Sequence, residues 1–199
     1  MTSHGWAALS ASLLTAAIFT PYLLRVWRGS LRPSVASWII WGLITLLVAG
    51  GQALAGAGVG ALPILLSGAL SVAVAALSAI RRETTSSGPA MSRLDRWCLV
   101  TALATIPLWM VTGDELWSMV VLTAIDLIGF IPTVRRIWRD PHADSALLFL
   151  AFALRNTCAL LALERVDLTT VLFPAVIGAA CAMLALLIAV RRAAISNAR

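Results

Sequence analysis

Charged positions along this chain fall in short clusters, and the intervals between them are long and almost wholly apolar. A helix needs about 20 mostly apolar residues, at about 1.5 Å each, to cross a bilayer. The chain carries no Arg, Asp or Glu before Arg25, which predicts a first span over residues 6–27. Between Arg32 and Arg81 lie 48 uncharged residues, enough for two crossings, and the glycine-rich stretch from Gly50 to Gly60 divides them into a helical hairpin. Further spans are predicted over 97–112, 116–137, 145–163 and 168–190, which makes seven. The first is expected to be a retained helix rather than a cleaved signal, because Arg25 and Arg28 follow its apolar core and no basic segment precedes it.

Composition agrees. Of 199 residues, 60% are hydrophobic and 12% charged, with a mean hydropathy of +0.93, whereas a soluble domain is about half apolar and about a quarter charged. The net charge of +6 invites a nucleic-acid reading, but so apolar a chain offers little water-facing surface for one. All fifteen basic residues are Arg, and the absence of Lys excludes a retinal Schiff base. The positions of the arginines carry topology. Arg25, Arg28 and Arg32, then Arg81, Arg82, Arg93 and Arg96, then Arg135, Arg136 and Arg139, and last Arg191, Arg192 and Arg199 all fall on one side of a seven-span arrangement. Asp114, Glu115, Glu164, Arg165 and Asp167 fall on the other. The expectation is a bacterial inner-membrane protein with its N-terminus outside and its C-terminus in the cytoplasm.

A shift of 111 residues lays the chain on itself. It carries Trp6, Phe19, Pro21, Arg25, Trp27, Arg28, Ser34 and Leu43 onto Trp117, Phe130, Pro132, Arg136, Trp138, Arg139, Ser145 and Leu154. Pro63 meets Pro174 and Arg81 meets Arg192, while Trp38 and Trp41 land on Phe149 and Phe152. The chain is therefore expected to be all-α, as two parallel three-helix repeats, residues 6–81 and 117–192. A cytoplasmic linker over 82–96 and a connector helix over 97–113 would join them, and 193–199 would be a cytoplasmic tail. An odd number of crossings per repeat requires one extra helix to keep the halves parallel, and parallel halves imply a pseudo-twofold axis along the membrane normal with a shared cavity.

These residues resemble a family. A 3+1+3 architecture, with a proline in the first helix of each repeat, a basic loop and a Ser before the second helix, is similar to the SWEET and PQ-loop (MtN3-like) transporter superfamily. The segments that carry the likeness are Phe19-Thr-Pro-Tyr-Leu-Leu-Arg-Val-Trp-Arg with Ser34, and Phe130-Ile-Pro-Thr-Val-Arg-Arg-Ile-Trp-Arg with Ser145. The phrase Arg32-Pro-Ser-Val-Ala-Ser-Trp-Ile-Ile-Trp is similar, more closely, to a group of bacterial membrane proteins of about this length. The resemblance implies transport of a small polar solute, facilitative or proton-coupled, by rocking two three-helix bundles, with Pro21 and Pro132 as hinges.

Two ionisable residues are placed near mid-span, Asp126 in the fifth and Arg155 in the sixth. Each would cost about 2.5–3.5 kcal/mol at the centre of a lone helix, so they are expected to pair or to face a wet cavity. Asp126 is read as a proton or cation site and Arg155 as its counter-charge or an anchor for an anionic group; a purely structural ion pair between the two spans is the competing reading. They align with Thr15 and Ile44, so the charges occur in one half only. Beside Arg155, residues Phe149, Phe152 and Asn156 share one helical face, and Trp38, Trp41 and Thr45 are their counterparts. Aromatic walls with a polar group deeper in suit a solute pocket, although Trp38 also fits the interfacial aromatic belt with Trp27, Trp97 and Trp138. Gln52 is a weaker candidate, and Pro63 and Pro174 read as ordinary first-turn prolines. Cys98, Cys158 and Cys181 have no metal-ligand or redox spacing, His4 and His142 are isolated, and no enzyme, metal or cofactor motif occurs. The expected partners are a small solute and membrane lipid, without nucleic acid, and the small-residue-rich third and seventh spans would permit a homo-oligomer. A receptor or scaffold with the same fold and no transport is the alternative.

Overall fold

The computed structural model describes residues 2–29, 35–83, 114–141 and 145–197, with scattered positions between 93 and 107. Among the described residues the chain is all-helical. Its helices are α1 (Ser3–Trp27), α2 (Val35–Leu54), α3 (Leu62–Glu83), α4 (Glu115–Arg139), α5 (Ala146–Leu161) and α6 (Leu168–Asn197), and a 3-10 turn, Gly58–Ala61, leads into α3. Three of these stretches, Ser3–Trp27, Gly58–Arg81 and Leu168–Ser196, are long and apolar enough to cross a membrane, and Trp38–Leu54 and Ala146–Leu161 are shorter apolar helices. The connector expected over 97–113 lies for the most part outside the described residues, as do Ser34, Cys98 and His142.

Local chemistry fixes the helix starts. Thr2, Asp114 and Ser145 each accept a hydrogen bond from the backbone N–H three residues on, at Gly5, Trp117 and Leu148, and so satisfy donors that the first turn leaves free. Ser145, the residue expected before the sixth span, is thus the N-cap of α5. At α6 the Asp167 carboxylate accepts from Thr170 N–H at 3.0 Å. Hydroxyls within the apolar stretches turn back onto their own helices, Thr15 to Ala11, Ser71 to Ser67, Ser78 to Val74 and Thr123 to Met119. This removes the cost of an unpaired polar group in apolar surroundings.

The six helices close a ring. α3 packs between α1 and α2, α6 packs between α4 and α5, and the ring is completed by α1 on α5 and α2 on α4. α4 and α5, consecutive in sequence and expected to be neighbours, each pack on α6 instead. Glycine permits the tight seams: a Cβ on Gly42 would lie 2.8 Å from Val72, and one on Gly68 2.9 Å from Leu46, across the α2–α3 contact.

At one end of the ring the arginines tie α3 to α1 and α6 to α4. The Arg81 guanidinium donates to Trp27 O and lies 5.0 Å from the Trp27 ring centroid. Arg191 donates to Trp138 O at 2.7 Å and sits 4.7 Å from that ring, and Arg192 reaches Pro141 O at 3.0 Å. These anchors explain why α6 continues past residue 190, where the apolar run ends. Pro174 lies inside α6, beyond its first turn and buried, which corrects its reading as a first-turn proline.

At the opposite end the α2–α3 and α5–α6 connections interlock. Glu164 N–H donates to Ala57 O at 3.1 Å, and its carboxylate accepts from Val59 N–H at 3.3 Å. Gly58, at φ +58°, leaves the space that the Glu164 carboxylate fills, and a Cβ on Gly60 would come within 2.9 Å of Leu163 backbone. Gln52 is fully buried here, its amide donating to Thr170 O at 2.7 Å and joining α2 to the start of α6.

Candidate functional site

A cavity of about 350 Å³ occupies the middle of the ring, and all six helices contribute to its wall. From α1 come Ile18, Phe19 and Tyr22; from α2, Trp38, Trp41 and Thr45; from α3, Ser67 and Ser71. α4 supplies Asp126, Gly129 and Phe130, α5 supplies Leu148, Phe149, Phe152, Arg155 and Asn156, and α6 supplies Phe173, Ile177 and Cys181. The structure therefore brings Trp38, Trp41, Thr45, Asp126, Phe149, Phe152, Arg155 and Asn156 to one surface. Pro21 lies within α1 and outside that wall, and Pro132 falls within α4.

The aromatic part is a connected cluster. Trp38 packs edge-on to Trp41 at 5.5 Å between centroids and edge-on to Phe19 at 6.0 Å, and it tilts against Tyr22 at 4.9 Å. Phe19 in turn meets Phe152 edge-on at 6.4 Å. Such contacts contribute about 0.5–1.5 kcal/mol each beyond burial, so the rings form a stiff wall. Trp38 belongs to this wall and not to an exposed belt, whereas Trp27, Trp97 and Trp138 are exposed. Gly129 makes room for Trp41: a Cβ there would lie 3.0 Å from the indole Nε1.

The polar part centres on Arg155, which is 3% exposed. Its Nε donates to Thr15 Oγ1 at 3.1 Å, Nη1 to Asn156 Oδ1 at 2.9 Å and Nη2 to Pro63 O at 2.9 Å. Asn156, itself fully buried, donates to Phe152 O at 2.8 Å. One guanidinium thus joins α1, α3 and α5 through neutral acceptors. The expected contact pair with Asp126 is not formed: no carboxylate comes within 4.0 Å of Arg155 among the described residues. The reason lies in the packing, since α4 and α5 are held apart by α6. Asp126 is only partly buried because it faces the cavity, whose wall it shares with Arg155 and Cys181.

Several wall residues were not anticipated. Phe19 and Phe130 coincide under the 111-residue shift, so that signal was available. Tyr22, Ser67, Ser71, Phe173 and Cys181 carry no pattern that separates them from ordinary helix packing. Gln52 lies outside the cavity wall. No group of three metal-ligating side chains occurs among the described residues.

The fold and the cavity together describe an all-helical chain, several of whose helices suit a membrane, with a central polar and aromatic chamber. Comparison with protein-family models, with curated proteins and with solved structures returns no match.

Proposed function

We propose that this chain is a membrane transporter of a small polar solute, working by alternating access between two three-helix bundles joined by a connector helix, in the manner of the SWEET and PQ-loop superfamily. The observation that carries the reading is the chamber itself, which lies between α1–α3 and α4–α6 and takes wall residues from every helix of both. Its wall supports the repeat. Ile18 and Gly129, Phe19 and Phe130, Trp38 and Phe149, Trp41 and Phe152, and Thr45 and Asn156 all line it, and each pair stands 111 residues apart. The ring supports it too: α1 on α3, α2 on α3 and α1 on α5 are matched by α4 on α6, α5 on α6 and α4 on α2. The same symmetry relates the Arg81–Trp27 and Arg191–Trp138 anchors, the second offset by one residue from the strict register.

In this reading the arginine end faces the cytoplasm, and the interlocked connections form the outer side. Rocking of the bundles about Pro21 and Pro132 opens one side while the other stays shut. Asp126 is the proton or cation site, and Arg155 with Asn156 anchors the solute against the rings.

Uptake into proteoliposomes tests the proposal. A transported solute should accumulate with the parent protein and lose at least about tenfold in rate when Trp41→Ala and Phe152→Ala are combined, two rings that touch a bound solute. Solute binding without uptake by the parent protein would instead establish a receptor.

A further inference from the structure

Arg155 and Asp126 share the chamber wall without touching, and their unused bonding capacity differs in sign. A guanidinium has five N–H donors. Three of those on Arg155 are taken, all by uncharged acceptors, which leaves one N–H on each Nη and the full positive charge without a contact anion. The Asp126 carboxylate accepts no hydrogen bond and makes no ion pair among the described residues, and part of it opens on the chamber. Buried charges of this kind are stable when paired and bonded, and costly otherwise. The two are too far apart to satisfy one another directly, yet they border one space.

The rings add a second constraint. Gly129 and Phe130 follow Asp126 by three and four residues on the same face of α4, and Gly129 seats the Trp41 indole. Phe152 precedes Arg155 by one turn. The carboxylate is therefore bordered by aromatic surface, the setting that favours an organic ammonium through carboxylate and ring faces together. At about 30 Å³ per water, the chamber of about 350 Å³ has room for a solute of about ten non-hydrogen atoms.

Resting on the transport reading, we infer that the solute is a zwitterion, a small molecule whose cationic group meets Asp126 among the rings and whose anionic group takes the free N–H donors of Arg155. A solute with one charge leaves the opposite wall charge unmatched, and a neutral one leaves both.

Four molecules of nearly one shape separate the terms. Glycine betaine carries both charges, choline only the positive, 3,3-dimethylbutyrate only the negative, and 3,3-dimethyl-1-butanol neither. Binding to the purified full-length protein is measured by calorimetry. The expected order has betaine at least about tenfold tighter than the other three, since the carboxylate–guanidinium hydrogen bonds and the desolvated contact of the quaternary ammonium with Asp126 and the ring faces each contribute about that factor. In Asp126→Asn, which removes no existing bond, the advantage of betaine over 3,3-dimethylbutyrate should vanish while the advantage of 3,3-dimethylbutyrate over the alcohol persists. Betaine binding no tighter than its analogues, absence of binding by all four, or an unchanged ranking in Asp126→Asn overturns the inference. Betaine binding without betaine uptake overturns transport and leaves the charge pairing standing, whereas uptake of neutral solutes alone does the reverse.

Discussion

Replacing Gly60 by Ala is the sharpest test of how the two connections at the glycine-rich end hold together. The new Cβ would lie 2.9 Å from the Leu163 Cα, N and Cδ2. Ordinary carbon contacts fall at about 3.5–4.0 Å, so the connections must part by about 0.6 Å or more. The side-chain atom can move aside, but the backbone atoms cannot do so cheaply, because Glu164 N–H is bonded to Ala57 O at 3.1 Å and its carboxylate to Val59 N–H at 3.3 Å. Overpacking of this kind costs about 1–3 kcal/mol, and one lost hydrogen bond adds about 0.5–1.5 kcal/mol. The sum, about 1.5–4.5 kcal/mol, is roughly a 10- to 2,000-fold shift away from the interlocked arrangement. Gly50 supplies the control: it lies within α2, and a Cβ there meets nothing within 4 Å, so Gly50→Ala should raise stability by up to about 1 kcal/mol through helix propensity. Thermal unfolding of the two variants in the same detergent compares them. Equal stability of Gly60→Ala and the parent would refute the packing argument, and a Gly50→Ala protein as damaged as Gly60→Ala would show that the loss comes from altered glycine content and not from the contact with Leu163.

Three further outcomes are expected. Gly129→Ala places a methyl group 3.0 Å from Trp41 Nε1 and should push the indole into the chamber, which lowers solute affinity and shifts tryptophan emission, with unchanged affinity as the contrary result. Asp126→Asn should remove the pH-driven component of uptake, measured with an imposed proton gradient, and wild-type pH dependence in that variant would exclude Asp126 as a proton site. Arg155→Met leaves the buried Asn156 Oδ1 without its donor and should cost about 1–3 kcal/mol; combining it with Asn156→Leu should recover part of that loss in denaturation measurements, and strict additivity would refute the coupling.

Helix positions were legible because charges interrupt this chain so rarely. The expected spans over 6–27 and 116–137 differ from α1 and α4 by no more than three residues at either end. What polarity could not show was adjacency. The spans carrying Asp126 and Arg155 are expected to pack together, but α6 stands between α4 and α5, as α3 stands between α1 and α2. Side-chain volume at positions such as Gly42 and Gly68 decides those seams, and small residues are too common in apolar helices to mark one seam over another. The same limit explains the wall. Phe149, Phe152 and Asn156 stand at helical spacing beside a charge and were visible, while Ser67, Ser71 and Cys181 are small polar residues whose face becomes meaningful only once the ring closes around it.

The asymmetry of the charges follows from the ring as well. Arg155 on α5 reaches across to α1 and bonds Thr15, and Thr15 is the counterpart of Asp126 under the 111-residue shift. A symmetric site would send a second arginine from α2 to Asp126 on α4, since those two helices also pack together. The position that would supply it holds Ile44, which is fully buried and has no donor. On the proposed repeat, Asp126 is without a partner among the described residues because its half holds Ile where the guanidinium would be and Asp where the threonine would be.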